Sequence, residues 1–169
     1  MTPKLVKIPK HWLNPVICGR IFEIFRKRIE YGEPIPPFDT RYPGKLEAII
    51  ESVRQTYGGK YLNLSVLEAA SAYLNQLVRG HAFSNGNKRM AVLFTHFFLL
   101  RHGLDLSLTA ADLYNFTVYL ARAGERGISP EDTKDWCRRI IGDFSIDLNG
   151  KTSPIWHRLQ NIWKKTRRK

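Results

Sequence analysis

Residues 81–100 read HAFSNGNKRMAVLFTHFFLL. From Met90 to Leu100, nine of eleven residues are apolar. A run that long exceeds an ordinary buried strand and predicts a helix greasy on every side, placed at the centre of a helical bundle. The nine residues before it are of another kind. A simple connection between two helices needs only Gly and a polar cap, yet His81, Asn85, Asn87, Lys88 and Arg89 crowd the point where this helix begins.

Helix signals also dominate on either side of this stretch. Asn14–Pro15 suits an N-cap followed by a first helical residue, and the pattern runs to about Tyr31. Glu33 to Gly44 holds four prolines in twelve residues and predicts extended or turn-rich chain. KLEAIIESVRQTY (45–57) resumes a helical period and stops at Gly58–Gly59. Ser65 to Glu68 (SVLE) is a capping box, opening a helix that Gly80 would end. Further helices are expected from Thr109, Ser129–Pro130 and Ser153–Pro154. The expectation is one all-α domain over 1–169, of seven or eight helices, ending in a basic helix and tail over about 153–169.

A helix start offers amides without intrahelical partners and the positive end of the macrodipole. Gly86 lets the backbone turn those amides inward, and Lys88 and Arg89 add full charges. A phosphate site is therefore expected here. His81, just ahead, can take a proton from a hydroxyl that attacks bound phosphorus. Asn85 offers an oxygen to a magnesium ion bridging phosphates, and Phe83 is expected to plug inward and fix the loop. These roles describe phosphoryl or nucleotidyl transfer. Taken singly each residue has a plain alternative, since Asn–Gly is ordinarily a turn and a His near a helix start is often packed or capping. Their joint order carries the case.

That order, HAFSNGNKR, resembles the signature of the Fic/Doc family, H-x-F-x-D/E/N-A/G-N-G/K-R, with every constrained position filled. The resemblance extends over about Pro34 to Ala123 and implies a Fic-like helical bundle with a short β-hairpin flap. It implies that His81 is the catalytic base, that Asn85 holds the metal, and that Gly86, Asn87 and Lys88 form an anion hole beside the phosphate-holding Arg89. It also implies that Ile35, Pro36, Pro37, Phe38, Asp39, Thr40, Arg41 and Tyr42 form a flap that aligns a target segment by strand-like pairing. The implied cofactors are ATP, or another nucleoside triphosphate, and Mg2+.

Family members that transfer AMP usually have Gly where this chain has Lys88, and a second Arg where it has Val92. The Doc branch resembles this chain in both respects. It passes the terminal phosphate of a nucleotide to a Thr of elongation factor Tu. The resemblance thus favours a Doc-like toxin, a protein phosphotransferase acting on a Ser/Thr hydroxyl, with AMP transfer as the alternative. The family's inhibitory helix has Ser or Thr, three residues of any kind, then Glu followed by Gly or Asn. No Glu here is followed by either, so inhibition by an antitoxin in trans is expected.

Lys and Arg outnumber Asp and Glu 27 to 15, for a net charge of +12. Five of those positive charges lie in the last six residues, KKTRRK. The excess favours an anionic partner, and a nucleic-acid-binding protein or a catalytically silent Fic-like scaffold are the readings from other classes. No apolar run reaches the roughly 20 residues of a membrane span, and the N-terminus has no signal-peptide pattern. Cytoplasmic location and two reduced, buried cysteines, Cys18 and Cys137, are expected. His96 is expected to be a hydrogen-bonded core residue, and His102 to suit a helix C-terminus.

Overall fold

The computed structural model describes residues 2–28 and 36–149, and within them six α-helices and four short strands. Helix α1 spans Pro15–Arg28, and the Asn14 side chain accepts the Ile17 amide at 2.9 Å, as its cap position predicts. Helix α2 spans Lys45–Arg54 and ends three residues short of the helix expected over 45–57. Thr56–Tyr57 (β1) instead pairs antiparallel with Lys60–Tyr61 (β2). Gly58 and Gly59, at φ 57° and 76°, supply the two left-handed residues that a tight hairpin turn requires.

Helix α3 (Val66–Arg79) and helix α4 (Asn87–Arg101) form the spine. The sequence pointed to α4 as the central element, but α3 is the more enclosed. Eleven of its fourteen residues are buried, and it packs against α2 and α4, then helices α5 (Ala110–Ala121) and α6 (Pro130–Phe144). The run Ala69–Ala72 explains this, because small side chains allow neighbours close on several sides. Helix α4 keeps Val92, Leu93 and His96 partly exposed. His96 Nε2 pairs with Asp105 Oδ1, so the residue is hydrogen-bonded as expected but half-buried rather than in the core.

Strand β3 (Leu104–Leu106) pairs antiparallel with β4 (Ser145–Asp147) beyond the end of α4. Cys18 and Cys137 are buried and unpaired; burial raises both thiols, that of Cys137 to about 12. No described helix is long and apolar enough to cross a membrane. The helix expected from Ser153 and the basic tail lie outside the described residues.

The β-hairpin flap expected over Ile35–Tyr42 requires correction. Ile35 lies outside the described residues, and Pro36–Tyr42 carries a 3-10 turn over Phe38–Thr40 rather than strands. Pro36 and Pro37 have no N–H to give a ladder. The following amides are used within the chain: Phe38 donates to Glu23 Oε1 (3.0 Å), Thr40 to the Pro37 carbonyl (3.1 Å) and Tyr42 to the Ala82 carbonyl (3.0 Å).

Candidate active site

The loop between α3 and α4 is built from its apolar members upward. Ala82 and Phe83 are buried. The Phe83 ring stacks on Phe22 of α1 at 5.1 Å between centroids and lies within 6.0 Å of Phe38 and 6.3 Å of Phe94. Phe38 can reach this cluster because Gly19 leaves room on α1; a Cβ there would stand 2.9 Å from the Phe38 ring. Phe83 is therefore the plug its position suggested, and it joins the proline-rich segment to the loop. The Tyr42–Ala82 hydrogen bond joins them a second time.

Asn87 braces the same loop. Its Oδ1 accepts the Phe83 amide at 2.8 Å and its Nδ2 donates to the Phe83 carbonyl at 2.6 Å. One side-chain amide thus satisfies both backbone groups of a buried residue, as a neighbouring strand would. Sequence reasoning placed Asn87 in the anion hole through its backbone; the bracing role of its side chain emerges only from the structure.

Gly86 takes φ 82° and turns the chain into α4, which starts without a side-chain cap. The first turn of α4 contains no acidic residue, and Lys88 and Arg89 are half-buried within it. Every other described helix has one compensation or the other. Asn14 caps α1, Glu47 lies in the first turn of α2, and Ser65, Thr109 and Ser129 cap α3, α5 and α6. The positive end of α4 is thus left uncompensated and reinforced by two cations, an arrangement suited to an anion.

His81 precedes this turn, exposed and in the left-handed region at φ 46°. That conformation is unusual for a non-glycine residue. Its ring makes no hydrogen bond with the described residues, so both nitrogens are open to a ligand. Asn85 Oδ1 accepts the amide of Gly86 at 2.6 Å. An amide oxygen has a second lone pair, so Asn85 fits as one neutral ligand of a metal that arrives with phosphates. Among the described residues, no group of three His, Cys, Asp or Glu is arranged to hold a metal by itself.

The structure thus brings His81, Asn85, Gly86, Asn87, Lys88 and Arg89 together at one helix start, with Phe38 and Tyr42 tied to it from the side. Arg41, expected in the flap, is engaged internally. Its guanidinium lies 4.3 Å from the Phe38 ring centroid, and it pairs with Glu47. Hydrogen bonding to Arg41 holds the Glu47 carboxyl below its ordinary range, although burial alone would raise it. Asp39, Thr40 and Tyr42 are exposed.

The sequence model of the Fic/DOC family matches residues 15–99. A curated relative, Protein kinase doc of Escherichia phage P1, is 34% identical over 100 residues, which cover 59% of this chain and 75% of that protein.

Proposed function

This chain belongs to the Fic/DOC family, and on that premise we propose that it is a Doc-like toxin that phosphorylates a protein hydroxyl. The observation that carries the reading is the start of α4, where a helix without a side-chain cap and two basic residues stand next to an exposed imidazole with no hydrogen-bond partner among the described residues. In this reading Gly86 shapes the turn, its own amide being held by Asn85 Oδ1, while the amides of Asn87 and Lys88 cradle a nucleotide's phosphates and Arg89 grips a phosphate oxygen. His81 takes the proton of a target Ser or Thr as that oxygen bonds to the terminal phosphorus. The bond from that phosphorus to the bridging oxygen breaks, and the diphosphate leaves with the electron pair. A magnesium ion bound with the nucleotide would neutralise phosphate charge, and Asn85 is the residue that would hold it.

Two features favour terminal-phosphate over AMP transfer. Lys88 puts a side chain where AMP-transferring members usually have Gly, and half-buried Val92 stands in place of their second Arg. With Val92 there, an inhibitory Glu in cis would have nothing to pair with, so we propose control by an antitoxin in trans. Target docking falls to the exposed side chains of Asp39, Thr40 and Tyr42, since the Phe38, Thr40 and Tyr42 amides are engaged within the chain.

The test uses the full chain with Mg2+, candidate translation factors including elongation factor Tu, and ATP labelled at the γ- or α-phosphate. Transfer of the γ label alone is expected. Transfer of the α label would move the assignment to AMP transfer, and transfer of neither would sink it.

A further inference from the structure

At the far end of α4 from the motif, about 22 Å away for fifteen residues at 1.5 Å each, a second cationic concavity opens. It has a volume of about 210 Å3, and its polar lining is Lys4, Lys7, Lys10, His11, Arg101 and His102. No acidic side chain is among its lining residues. We propose that this cavity is a binding site for a compact, multiply charged phosphate anion, separate from the nucleotide site of the motif.

The N-terminal arm that supplies three of the lysines is fixed rather than loose. Leu5 is fully buried, and the carbonyls of Leu5 and Lys7 accept the amides of Leu67 and Val66 at the start of α3. Lys4 Nζ is held by Asp147 Oδ1 and the Gly103 carbonyl. The arm's far end is held by His102, whose Nδ1 donates to the Phe98 carbonyl while Nε2 accepts the amides of Lys10 (3.1 Å) and His11 (3.4 Å). Those bonds require a neutral ring. Four cations are therefore carried around the cavity before any ligand arrives, and among the described residues Lys4 is the one of them paired with a carboxylate. Holding like charges together costs free energy that an anion would recover.

His11 reports on the site. Its Nδ1 accepts from Arg101 Nη2 at 3.2 Å, and its pKa is lowered by burial first, then by Arg101 and Lys10. An anion seated among these cations would reverse the last two effects. Several cations around a small volume match an oligophosphate, whereas a single carboxylate would leave most of the charge uncompensated. Free pyrophosphate and the polyphosphate of a nucleotide share this chemistry.

The experiment follows the ring proton of His11 by NMR across pH, at constant ionic strength, in chloride, pyrophosphate and ATP. Pyrophosphate should raise the His11 midpoint. The Lys7→Ala/Lys10→Ala double variant, altering two exposed side chains, should weaken pyrophosphate binding by about tenfold or more, with its thermal melt checked for folding. Arg89→Ala should keep the effect, because that residue belongs to the other end of α4. If ATP also shifts His11 in Arg89→Ala, the nucleotide is a source; if only pyrophosphate does, the free anion is. An unmoved His11, or a shift that survives in the double variant, would overturn the proposal.

Discussion

Helices α3 and α4 lie side by side, yet their N-termini are treated in opposite ways. At α3, Ser65 accepts the Glu68 amide, the Glu68 carboxylate accepts that of Leu64, and carbonyls of the N-terminal arm accept those of Val66 and Leu67. That start is closed. At α4 the side chain of Asn87 is turned to brace Phe83, the left-handed Gly86 offers no cap, and Asn85 accepts the Gly86 amide alone. Among the described α-helices, α3, α5 and α6 have side-chain caps, and α4 alone has neither a side-chain cap nor an acidic residue in its first turn; it is the one that follows His81. That difference is what the proposed ligand site rests on.

The sharpest way to break this comparison is to remove the base. His81→Ala should lower phosphate transfer by about 100-fold or more, since general-base contributions run to roughly 10²–10⁴. The melting temperature should barely move, because the ring is exposed and makes no hydrogen bond among the described residues. A large loss of stability with intact transfer would make His81 a structural residue and remove the chemical meaning of the open terminus.

Asn85→Ala should cost less activity than His81→Ala. In the proposed role the side chain would be a neutral ligand, and its removal releases the Gly86 amide to face phosphate, which would offset part of the lost metal contact. Equal losses in steady-state transfer assays would show that metal positioning, not the amide cradle, dominates.

Asn87→Ala tests the brace. It leaves the buried Phe83 amide and carbonyl without their partner, for about 1–3 kcal/mol of stability in denaturant unfolding. Ser65→Ala, at the closed terminus, should cost about 1 kcal/mol and leave transfer unchanged. If Ser65→Ala impaired transfer as much as stability, the two helix starts would not be functionally distinct.

What the sequence made legible follows from how local the cause was. The caps at Asn14, Ser65, Thr109 and Ser129 each act within three residues, so the helix starts they mark were readable. HAFSNGNKR was readable because its residues are contiguous and the helix itself brings them together. The β1–β2 hairpin was missed although Gly58–Gly59 between two short β-prone pairs is a turn signal, because the helical period of α2 was carried past Arg54. The prolines of 33–44 announced a turn-rich chain, which the 3-10 turn at Phe38–Thr40 bears out, but not its ties to Glu23 and Ala82, distant partners that no local pattern announces. The same holds for the N-terminal arm, whose carbonyls close α3 from some sixty positions away.

The smallest expected effect lies on that arm. His102 is lowered from 6.5, first by burial and then by His11 and Arg101, although its bond to Phe98 works the other way. The unfolded chain therefore binds this proton more readily than the folded one, so the contribution to stability is present above about pH 6.5 and is lost as pH falls toward the lowered folded value. His11, also lowered and facing Arg101 and Lys10, acts in the same direction. Protonating His102 at Nε2 removes the acceptor for the Lys10 and His11 amides, so the arm should loosen on mild acidification. Amide exchange at Lys10 and His11 should accelerate relative to that at Leu113 of α5 when pH falls from 7 to 5.5, after correction for intrinsic rates. A His102→Gln variant should flatten that response, since a glutamine side chain does not titrate in this range. An unchanged ratio in the wild-type chain would mean that the closed start of α3 does not depend on the neutral imidazole.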